Sequence, residues 1–417
     1  MQYIDKNMNF NFIDAEIDDY WNTSDIPESL MHKIHAYPAK FPAFITQKAI
    51  EFAKINGLNV QSIADIFCGC GTVALEAQKN HIDFWGWDIN PVAVLIAKVK
   101  SNTYKEETLK KYYKNIIQFY ITNQRQIVNY SIVNERIKYW FTENNIHDLT
   151  ILKEAILNFT PNNKYRLFFL CAFSNILKPT SKWLTKSIKP QLDPHKQNHD
   201  VLECFKKQFK FMYRAIKEND IRIHSYSKIH TANSLKLKSK NLIDLIISSP
   251  PYVTSYEYAD LHQLSSLWLN FTDDYRTLRK NSVGSSYGIK NYNMNKLNST
   301  AKQTIYALEI HSMPKIKSIA QYFTDMQKAA KVAYNLLKNN GMIVLIIGNT
   351  EYKGVYINNA AHLIEALYDV GFSKVFISKR KITGKILTPY RDATGKFSAS
   401  KDAKEIYSEE FVIVGRK

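Results

Sequence analysis

Two consecutive strand–helix units near the start of the chain constrain its fold more than any other feature. The first reads as a buried strand, VQSIADIF at 60–67, followed by the glycine turn GCGT and the helical segment VALEAQKN at 73–80. The second is the strand FWGWDIN at 84–90 followed by PVAVLIAKVKSN at 91–102, where Pro91 suits the first helical position. Alternating strands and helices of this kind predict a parallel sheet with helices packed on it.

Strands and helices of the same type recur in the second half of the chain. Strand-like runs lie at 241–249, 341–349, 374–382 and 409–417, with helical segments at 320–340 and 360–372. Another helical pattern, 44–57, precedes the first strand and ends at Gly57, a residue suited to the end of a helix. We therefore predict an α/β fold, a Rossmann-like sheet with helices on both faces.

Helical patterns replace the strands between about 105 and 225. They cover 109–130, 147–159, 164–178 and 201–219. We interpret 105–230 as a mostly helical insertion that separates the sheet domain into 1–104 and 231–417. Within these parts, 1–30 reads as an arm or edge structure, and the polar stretch 270–312 predicts a long loop.

The charge distribution favours a polyanionic partner. The formal net charge is +18, and lysine and arginine concentrate in 178–240 and 374–404, whereas 1–30 is acidic. Lysines that merely solvate the surface are the plain alternative. A clustered excess is more typical of a nucleic-acid-binding face.

Composition also limits the class of protein. Hydrophobic residues make up 45% and charged residues 23%, which is typical of a folded soluble chain. We find no apolar run long enough to span a bilayer, and the first residues resemble neither a signal peptide nor a transit peptide. The four cysteines, which suggest free thiols in a reducing cytoplasm, are Cys68, Cys70, Cys171 and Cys204.

The glycine turn predicts a ligand site at the end of the first strand. Gly69 and Gly71 allow a close approach of the ligand to the backbone, so a Cβ at Gly71 is expected to intrude on it. The helix that follows offers free N–H groups, and Asp88 ends the next strand, where it can accept from a ribose diol. The spacing also fits a dinucleotide fingerprint, or a tight turn alone. Asp65 favours S-adenosylmethionine over NAD, because only the former has an ammonium group for it to hold.

Ser249-Pro250-Pro251-Tyr252 predicts a stiff, donor-poor loop after a buried strand. An exocyclic base amine is a poor nucleophile because its lone pair is delocalised into the ring. A fixed backbone carbonyl and a neighbouring side-chain oxygen can accept both amine hydrogens, which directs the lone pair at an incoming methyl group. Tyr252 can stack on the base, and positioning then supplies most of the rate.

Together these motifs resemble the amino-methylating DNA methyltransferases of bacterial restriction–modification systems. The serine form of the proline loop is typical of their cytosine-N4 enzymes, whereas aspartate or asparagine is more typical of adenine-N6 enzymes. The segment from His35 to Pro42 is similar to the one that packs on the methionine end of the cofactor in this family. Asn233 occupies the position of an aspartate that contacts the adenine ring of the cofactor.

The resemblance implies a class I methyltransferase sheet and S-adenosyl-L-methionine as cofactor. It also implies a base flipped out of double-stranded DNA as the target and a companion restriction endonuclease as a partner. The implied catalytic residues are those of the proline loop, Ser249, Pro250, Pro251 and Tyr252. The implied cofactor-binding residues are Tyr37, Pro38, Asp65, Phe67, Gly69, Gly71, Thr72, Asp88 and Asn233.

Several other functions remain open from the residues alone. They are methylation of adenine N6 or of an RNA amine, a nucleic-acid-binding module with a vestigial pocket, and an NAD oxidoreductase. Cytosine-C5 chemistry needs a nucleophilic cysteine after a proline, and no cysteine of this sequence follows one. His195, His199 and Cys204 lack the paired spacing of a zinc site, so we expect no metal. We expect His262 to be a packing or phosphate-side residue rather than a base.

Overall fold

The computed structural model describes most of the chain. The described residues are 1–8, 15–23, 27–38, 40, 42–197, 199–219, 225–253, 257–285, 287, 292–310, 315–382, 390–391, 400, 404–405 and 408–417. Ala39 and Phe41 of the predicted cofactor segment, and much of the basic stretch 374–404, lie outside them.

The centre of the described part is an eight-stranded sheet with the order β1-β9-β12-β6-β5-β2-β3-β4. Its strands are β1 (Gln2–Ile4), β2 (Ser62–Asp65), β3 (Asp83–Asp88), β4 (Ser227–Thr231), β5 (Ile243–Ser248), β6 (Leu337–Ile347), β9 (Lys374–Lys381) and β12 (Glu409–Arg416). Two short hairpins lie apart from it, formed by β7 (Thr350–Tyr352) with β8 (Val355–Ile357) and by β10 (Tyr390–Arg391) with β11 (Lys404–Glu405).

Most of this sheet is parallel. The strands β4, β3, β2, β5 and β6 pair in parallel, whereas β12 runs antiparallel to both β6 and β9. The chain moves outward from β2 through β3 to β4 and then crosses to β5 on the other side of β2. This switch in direction opens a crevice at the carboxyl ends of β2 and β5, where open α/β sheets bind ligands. The predicted Rossmann-like α/β fold is confirmed.

Alternation along the strands separates the two faces of the sheet. In β6, Ile343, Leu345 and Ile347 face one apolar cluster, and Met342, Val344 and Ile346 face the other. The first cluster is closed by α11 (Ser299–Glu309), α12 (Ile316–Leu336) and α13 (Asn359–Asp369), and the second by α1 (Ala43–Ile55), α2 (Thr72–Lys79) and α3 (Pro91–Lys100). Helices therefore cover both faces, as predicted.

A third apolar cluster lies among the helices of 105–219 and reaches the sheet domain through α3. Aromatic rings dominate it; those of Tyr113 and Phe209 stack with centroids 3.9 Å apart. Its helices are α4 (Glu106–Thr122), α5 (Glu135–Trp140), α6 (Glu143–Phe159), α7 (Asn163–Ile176) and α8 (Val201–Glu218). Two short helices follow the proline loop, α9 (Tyr258–Leu261) and α10 (Gln263–Trp268), and α10 packs beside the helices of this cluster.

Two elements differ from the prediction. Residues 227–231 already form a sheet strand, β4, although we expected the strands to resume at 241; among its residues only Ile229 is buried, so its sequence carries no apolar alternation. Residues 270–312 were expected to form a loop, yet α11 lies within them.

The division of the chain at 104 and 230 stays a prediction. In the described part, no helix is long and apolar enough to cross a membrane.

Candidate active site

The predicted site residues converge at the carboxyl ends of neighbouring strands. Asp88 ends β3, Asp65 ends β2 and Ser249 follows β5, while Gly348, which was not predicted as a site residue, follows β6. Because these strands are adjacent and parallel, the glycine turn and the proline loop open on the same edge of the sheet. The structure thus brings together the two motifs, which are about 180 residues apart in the sequence.

The glycine turn is a tight connection between β2 and α2, with two residues in the left-handed region of backbone conformation. Gly69 and Gly71 have φ of +50° and +78°, a region that residues with a Cβ rarely adopt. A Cβ at Gly71 would lie 2.7 Å from both Cα and Cβ of Ala97 in α3. The structure therefore gives this glycine a reason that was not predicted, since the missing Cβ permits the close packing of α2 on α3. The expected approach of the cofactor to Gly71 stays a prediction.

Asp88 fixes the shape of the turn. Its two carboxylate oxygens accept from the backbone N–H groups of Gly69 and Asn90, each at 2.8 Å. Burial raises the pKa of Asp88, and the two backbone hydrogen bonds oppose that rise. A carboxylate held in this way keeps lone pairs for a ribose diol at the end of β3.

Asp65 connects the turn to the strand that carries the proline loop. Its Oδ1 accepts from the N–H of Phe67 at 2.9 Å and from the hydroxyl of Ser248 at 2.6 Å. The residue is only 2% exposed, and burial raises the pKa of its carboxyl group to about 7. A nearby cation would stabilise the ionised form of a carboxyl group that is buried in this way. Ser248 was not predicted as a site residue, although it stands next to Ser249 in the sequence.

Tyr37 lies over the glycine turn within an aromatic stack. Its ring is 5.1 Å from that of His262 and 6.1 Å from that of Tyr258, and both pairs are stacked. A Cβ on Gly69 would be 3.7 Å from the Tyr37 hydroxyl, so the ring closes one side of the turn. Burial, followed by the charge of Asp88, raises the pKa of Tyr37 well above its usual range. Pro38 follows and is half-buried.

His262 links this stack to Asn90. Its Nδ1 lies 2.8 Å from Nδ2 of Asn90 and 3.1 Å from the carbonyl oxygen of Tyr258. Burial lowers the pKa of His262 to about 4, which keeps the ring neutral near pH 7. Its Nε2 is buried and has no partner among the described residues. These contacts support the packing role expected for it.

The remaining predicted cofactor residues surround the same strand ends. Thr72 is the first residue of α2, and Phe67 lies in the turn before the glycines. Asn233 follows β4 and accepts from the N–H of Leu235 at 2.9 Å, next to Ala232, whose N–H donates to the carbonyl of Asp88. Asn233 therefore lies beside the end of β3, on the far side of the turn from the proline loop.

The proline loop is held through Tyr252. The Tyr252 hydroxyl donates to Oε1 of Glu410 at 2.8 Å, and burial raises the pKa of that phenol well above its usual range, with Glu410 adding to the rise. The ring lies against Gly348, where an added Cβ would be 2.9 Å from Cε2. Pro250 is buried, whereas Ser249 and Pro251 are half-exposed.

Glu410 and its partner Arg380 were not predicted from the sequence. They lie on β12 and β9, in runs that were read as strands. Arg380 is 1% exposed, so it is a charged residue at an inward-facing strand position. A buried arginine requires a buried partner of opposite charge. A charge at an inward-facing position of a predicted strand is therefore the one signal in the sequence that could have indicated this pair.

The cysteines of the turn are packing residues. Cys68 and Cys70 are free and buried, and a Cβ at Gly86 would lie 2.7 Å from Sγ of Cys68. Nζ of the buried Lys100 donates to Sγ of Cys70 at 3.3 Å. Within the described ranges, no three His, Cys, Asp or Glu side chains form a group that could hold a metal ion.

The chemistry of these groups fits S-adenosylmethionine. Asp65 offers a buried carboxylate for the ammonium group, the N-terminus of α2 offers N–H groups for the carboxylate, and Asp88 offers oxygens for the ribose.

Comparison with known proteins agrees with this chemistry. Residues 1–99 match the model of a family described as DNA methylase, whose name covers both N6 and N4 enzymes. Type II methyltransferase M.MvaI from Kocuria varians is 24% identical over 402 residues, which is 88% of each chain. Type II methyltransferase M.BsoBI from Geobacillus stearothermophilus is 21% identical over 408 residues, 83% of this chain and 79% of its own.

A solved S-adenosylmethionine-dependent methyltransferase from Methanosarcina mazei aligns with 87% of this chain and 96% of its own, at 10% identity and a TM-score of 0.28. The family match and the two relatives support an amino-methyltransferase of the DNA methylase family. Such a methylase uses S-adenosyl-L-methionine as its cofactor.

Proposed function

We propose that this chain transfers a methyl group from S-adenosylmethionine to N4 of a cytosine in double-stranded DNA. The observation that carries the proposal is the hydrogen bond from Ser248 to Asp65, which joins the end of β5 to the end of β2. It fixes the proline loop one strand away from the glycine turn. A methyl donor in the turn and an amine at the loop would then meet in a single crevice.

On the cofactor side, each group would have a defined task. Asp65 would hold the ammonium group, Asp88 the ribose, and Asn233 the adenine ring beyond the end of β3. Tyr37 would cover the methionine end, since its ring already lies over Gly69. When bound, the cofactor supplies a sulfonium methyl group that needs no further activation.

On the target side, the proline loop would orient the amine. The Ser249 hydroxyl and the carbonyl of Pro250 would accept the two amine hydrogens, and Tyr252 would stack on the extruded base. The serine at the first position of the loop is the feature that favours cytosine N4, through the family resemblance. Positioning and fixed dipoles would supply most of the rate.

The helical region would bind DNA next to this loop. Gln263, the first residue of α10, accepts through Oε1 from Nε1 of Trp140 at 2.9 Å and from Nε of Arg136 at 2.8 Å. Both donors belong to α5, so the helices of 105–219 are joined directly to the segment that follows the proline loop. Basic side chains there would neutralise phosphates and offset the cost of base extrusion, roughly a few kcal/mol.

Biologically, we propose a modification enzyme that protects DNA from a companion restriction endonuclease, because both relatives are named Type II methyltransferases. The 105–230 region and the 270–312 segment are the proposed sites of sequence recognition. The cysteines, free in the structure, suit the reducing cytoplasm in which such an enzyme would act.

The deciding experiment is methylation of unmodified plasmid DNA, followed by digestion to nucleosides and mass spectrometry. We expect N4-methylcytosine at one sequence, and no transfer to RNA of the same sequence. N6-methyladenine would overturn the choice of base, and transfer to RNA alone would overturn the DNA substrate. No methyl transfer to either would overturn the proposed function.

A further inference from the structure

A buried ion pair stands behind the aromatic ring of the proline loop. The Tyr252 hydroxyl donates to Oε1 of Glu410 at 2.8 Å, and Oε2 of the same carboxylate pairs with Nη1 of Arg380. Three separate elements are joined in this way, the loop after β5, the start of β12 and the end of β9. Both oxygens of Glu410 are therefore used, one by the phenol and one by the guanidinium.

Arg380 is itself held in place on its other side. Its Nε donates to the carbonyl oxygen of Trp21 at 3.0 Å, and its guanidinium lies 5.6 Å from the ring centre of Phe44 in α1. The arginine is 1% exposed, so its charge requires a buried counter-charge, which Glu410 provides. Fixed at the backbone of Trp21, Arg380 determines where the Glu410 carboxylate lies.

The Glu410 carboxylate, held by Arg380 on one side, holds the ring of Tyr252 on the other. The edge of Tyr252 lies against Gly348, so the ring is confined between that backbone and the hydrogen bond at its hydroxyl. A stacking ring has to present its face at one angle. The hydrogen bond at the para position restrains the swing of the ring about χ1, and the contact of the ring edge with Gly348 restrains its rotation about χ2. Stacking alone would not require a tyrosine here, since phenylalanine has the same ring.

We propose that Arg380 and Glu410 are positioning residues for methyl transfer, which hold the ring of Tyr252 at the angle that receives the extruded base. The inference rests on the proposed function, because it assigns these residues to the same reaction. Neither residue touches the target; each acts through the Tyr252 hydroxyl.

Glu410→Gln tests this with Glu409→Gln as a matched control. Glu409 is the preceding residue of β12 and pairs instead with Lys379, at 3.8 Å, so the control makes the same chemical change away from Tyr252. We expect Glu410→Gln to lower the single-turnover rate about 10- to 100-fold, as small misplacements of reacting groups do. Glu409→Gln should stay within about twofold of the parent. Cofactor affinity by calorimetry should be unchanged in both.

Two readouts separate positioning from a merely structural role. The fluorescence of 2-aminopurine at the target position, which reports stacking of the extruded base, should change equally in Glu410→Gln and Tyr252→Phe. The double variant should be no slower than Tyr252→Phe alone. In Glu410→Gln the amide would turn its one oxygen to Arg380 and leave the phenol without its acceptor, a loss that Tyr252→Phe already includes. Additive losses, or an unchanged rate for Tyr252→Phe, would overturn the proposal.

The outcomes also separate this inference from the proposed function. A parent protein that methylates no DNA contradicts the proposed function itself. A parent that methylates DNA while Glu410→Gln matches both parent and control contradicts only the positioning role. Should Glu410→Gln fail to fold, judged by its melting temperature, Tyr252→Phe decides the question because it leaves the ion pair intact.

Discussion

The two sides of the crevice are built in different ways. On the cofactor side, the backbone hydrogen bonds that shape the glycine turn are local: Asp88 accepts from the N–H of Gly69, 19 residues away, and Asp65 from the N–H of Phe67, two residues away. The bond from Ser248 to Asp65, 183 residues apart, connects this turn to the strand of the proline loop. On the proposed target side, the Tyr252 hydroxyl donates to Glu410, 158 residues away, and Arg380 donates to the carbonyl of Trp21, 359 residues away. The glycine turn is thus shaped mainly by hydrogen bonds within a short motif, whereas the ring of Tyr252 is held by hydrogen bonds between distant segments.

This difference determines which functions a single substitution can affect. A change in the local half should alter cofactor binding or the packing of α2, with little effect on the loop. A change in the distant half should alter turnover while leaving cofactor binding intact. The four substitutions below test that separation, from the largest expected effect to the smallest.

Ser249→Ala should give the largest loss. It removes the hydroxyl proposed to accept one hydrogen of the amine, and loss of such a preorganised contact typically lowers the rate roughly 10²- to 10³-fold. Single-turnover methyl transfer measures the loss, while calorimetry and a DNA-binding titration should give parent-like affinities. An equal loss of cofactor affinity would show that the two halves are not separate.

Tyr252→Ala should follow. It removes the proposed stacking surface, worth on the order of 1–3 kcal/mol, and leaves the buried ion pair without the phenol. We expect weaker capture of the extruded base, seen as a weaker 2-aminopurine response and a slower transfer. A parent-like rate would mean that the loop merely ends β5.

Gly71→Ala should act on the local half, chiefly through stability. Its φ of +78° and the 2.7 Å approach to Ala97 predict a loss of about 2 kcal/mol in the free energy of unfolding. Chemical denaturation measures it. Gly57→Ala is a matched control, since Gly57 has the same φ of +78° but no atom within 4 Å of an added Cβ. Equal losses in both variants would show that the packing on α3 is unimportant.

The pH dependence of Asp65 should give the smallest effect. Its pKa in the folded protein, about 7, lies above the ordinary value of 3.8, so its contribution to stability is present below pH 3.8 and lost as the pH rises through about 7. The ionised form is the one that holds an ammonium group. Cofactor affinity should therefore rise with pH, by up to about 1.4 kcal/mol per unit below pH 7, and then level off.

Asp65→Asn should remove this pH dependence in a calorimetric titration from pH 5.5 to 8.5, together with most of the affinity. A parent protein whose affinity is flat across that range would contradict the assignment of Asp65 to the ammonium group.

The distinction between local and distant contacts also decides how much of the structure the sequence predicts. The strand before Asp65, the glycine turn and the fold class could be read directly, because apolar periodicity and glycine chemistry are local properties. Strand β4 could not, since an edge strand with one buried residue has no alternating pattern. The pair Arg380–Glu410 was missed for a related reason, as strand periodicity does not show which charges meet across a sheet. The packing role of Gly71 was not predicted because Ala97, its neighbour, belongs to another helix.

The position of β12 in the sheet affects the order in which the chain folds. This strand lies between β6 and β9 in the sheet, although it follows both in the chain. Strand β1, near the start of the chain, likewise pairs with β9 and can do so only after β9 has been synthesised. Pairings across such long separations are slow to form, because the entropy of closing large loops must be overcome first. During synthesis, the glycine turn can assemble early, whereas the support for Tyr252 is completed last. We infer that a nascent chain becomes able to bind its cofactor before it becomes able to receive a base.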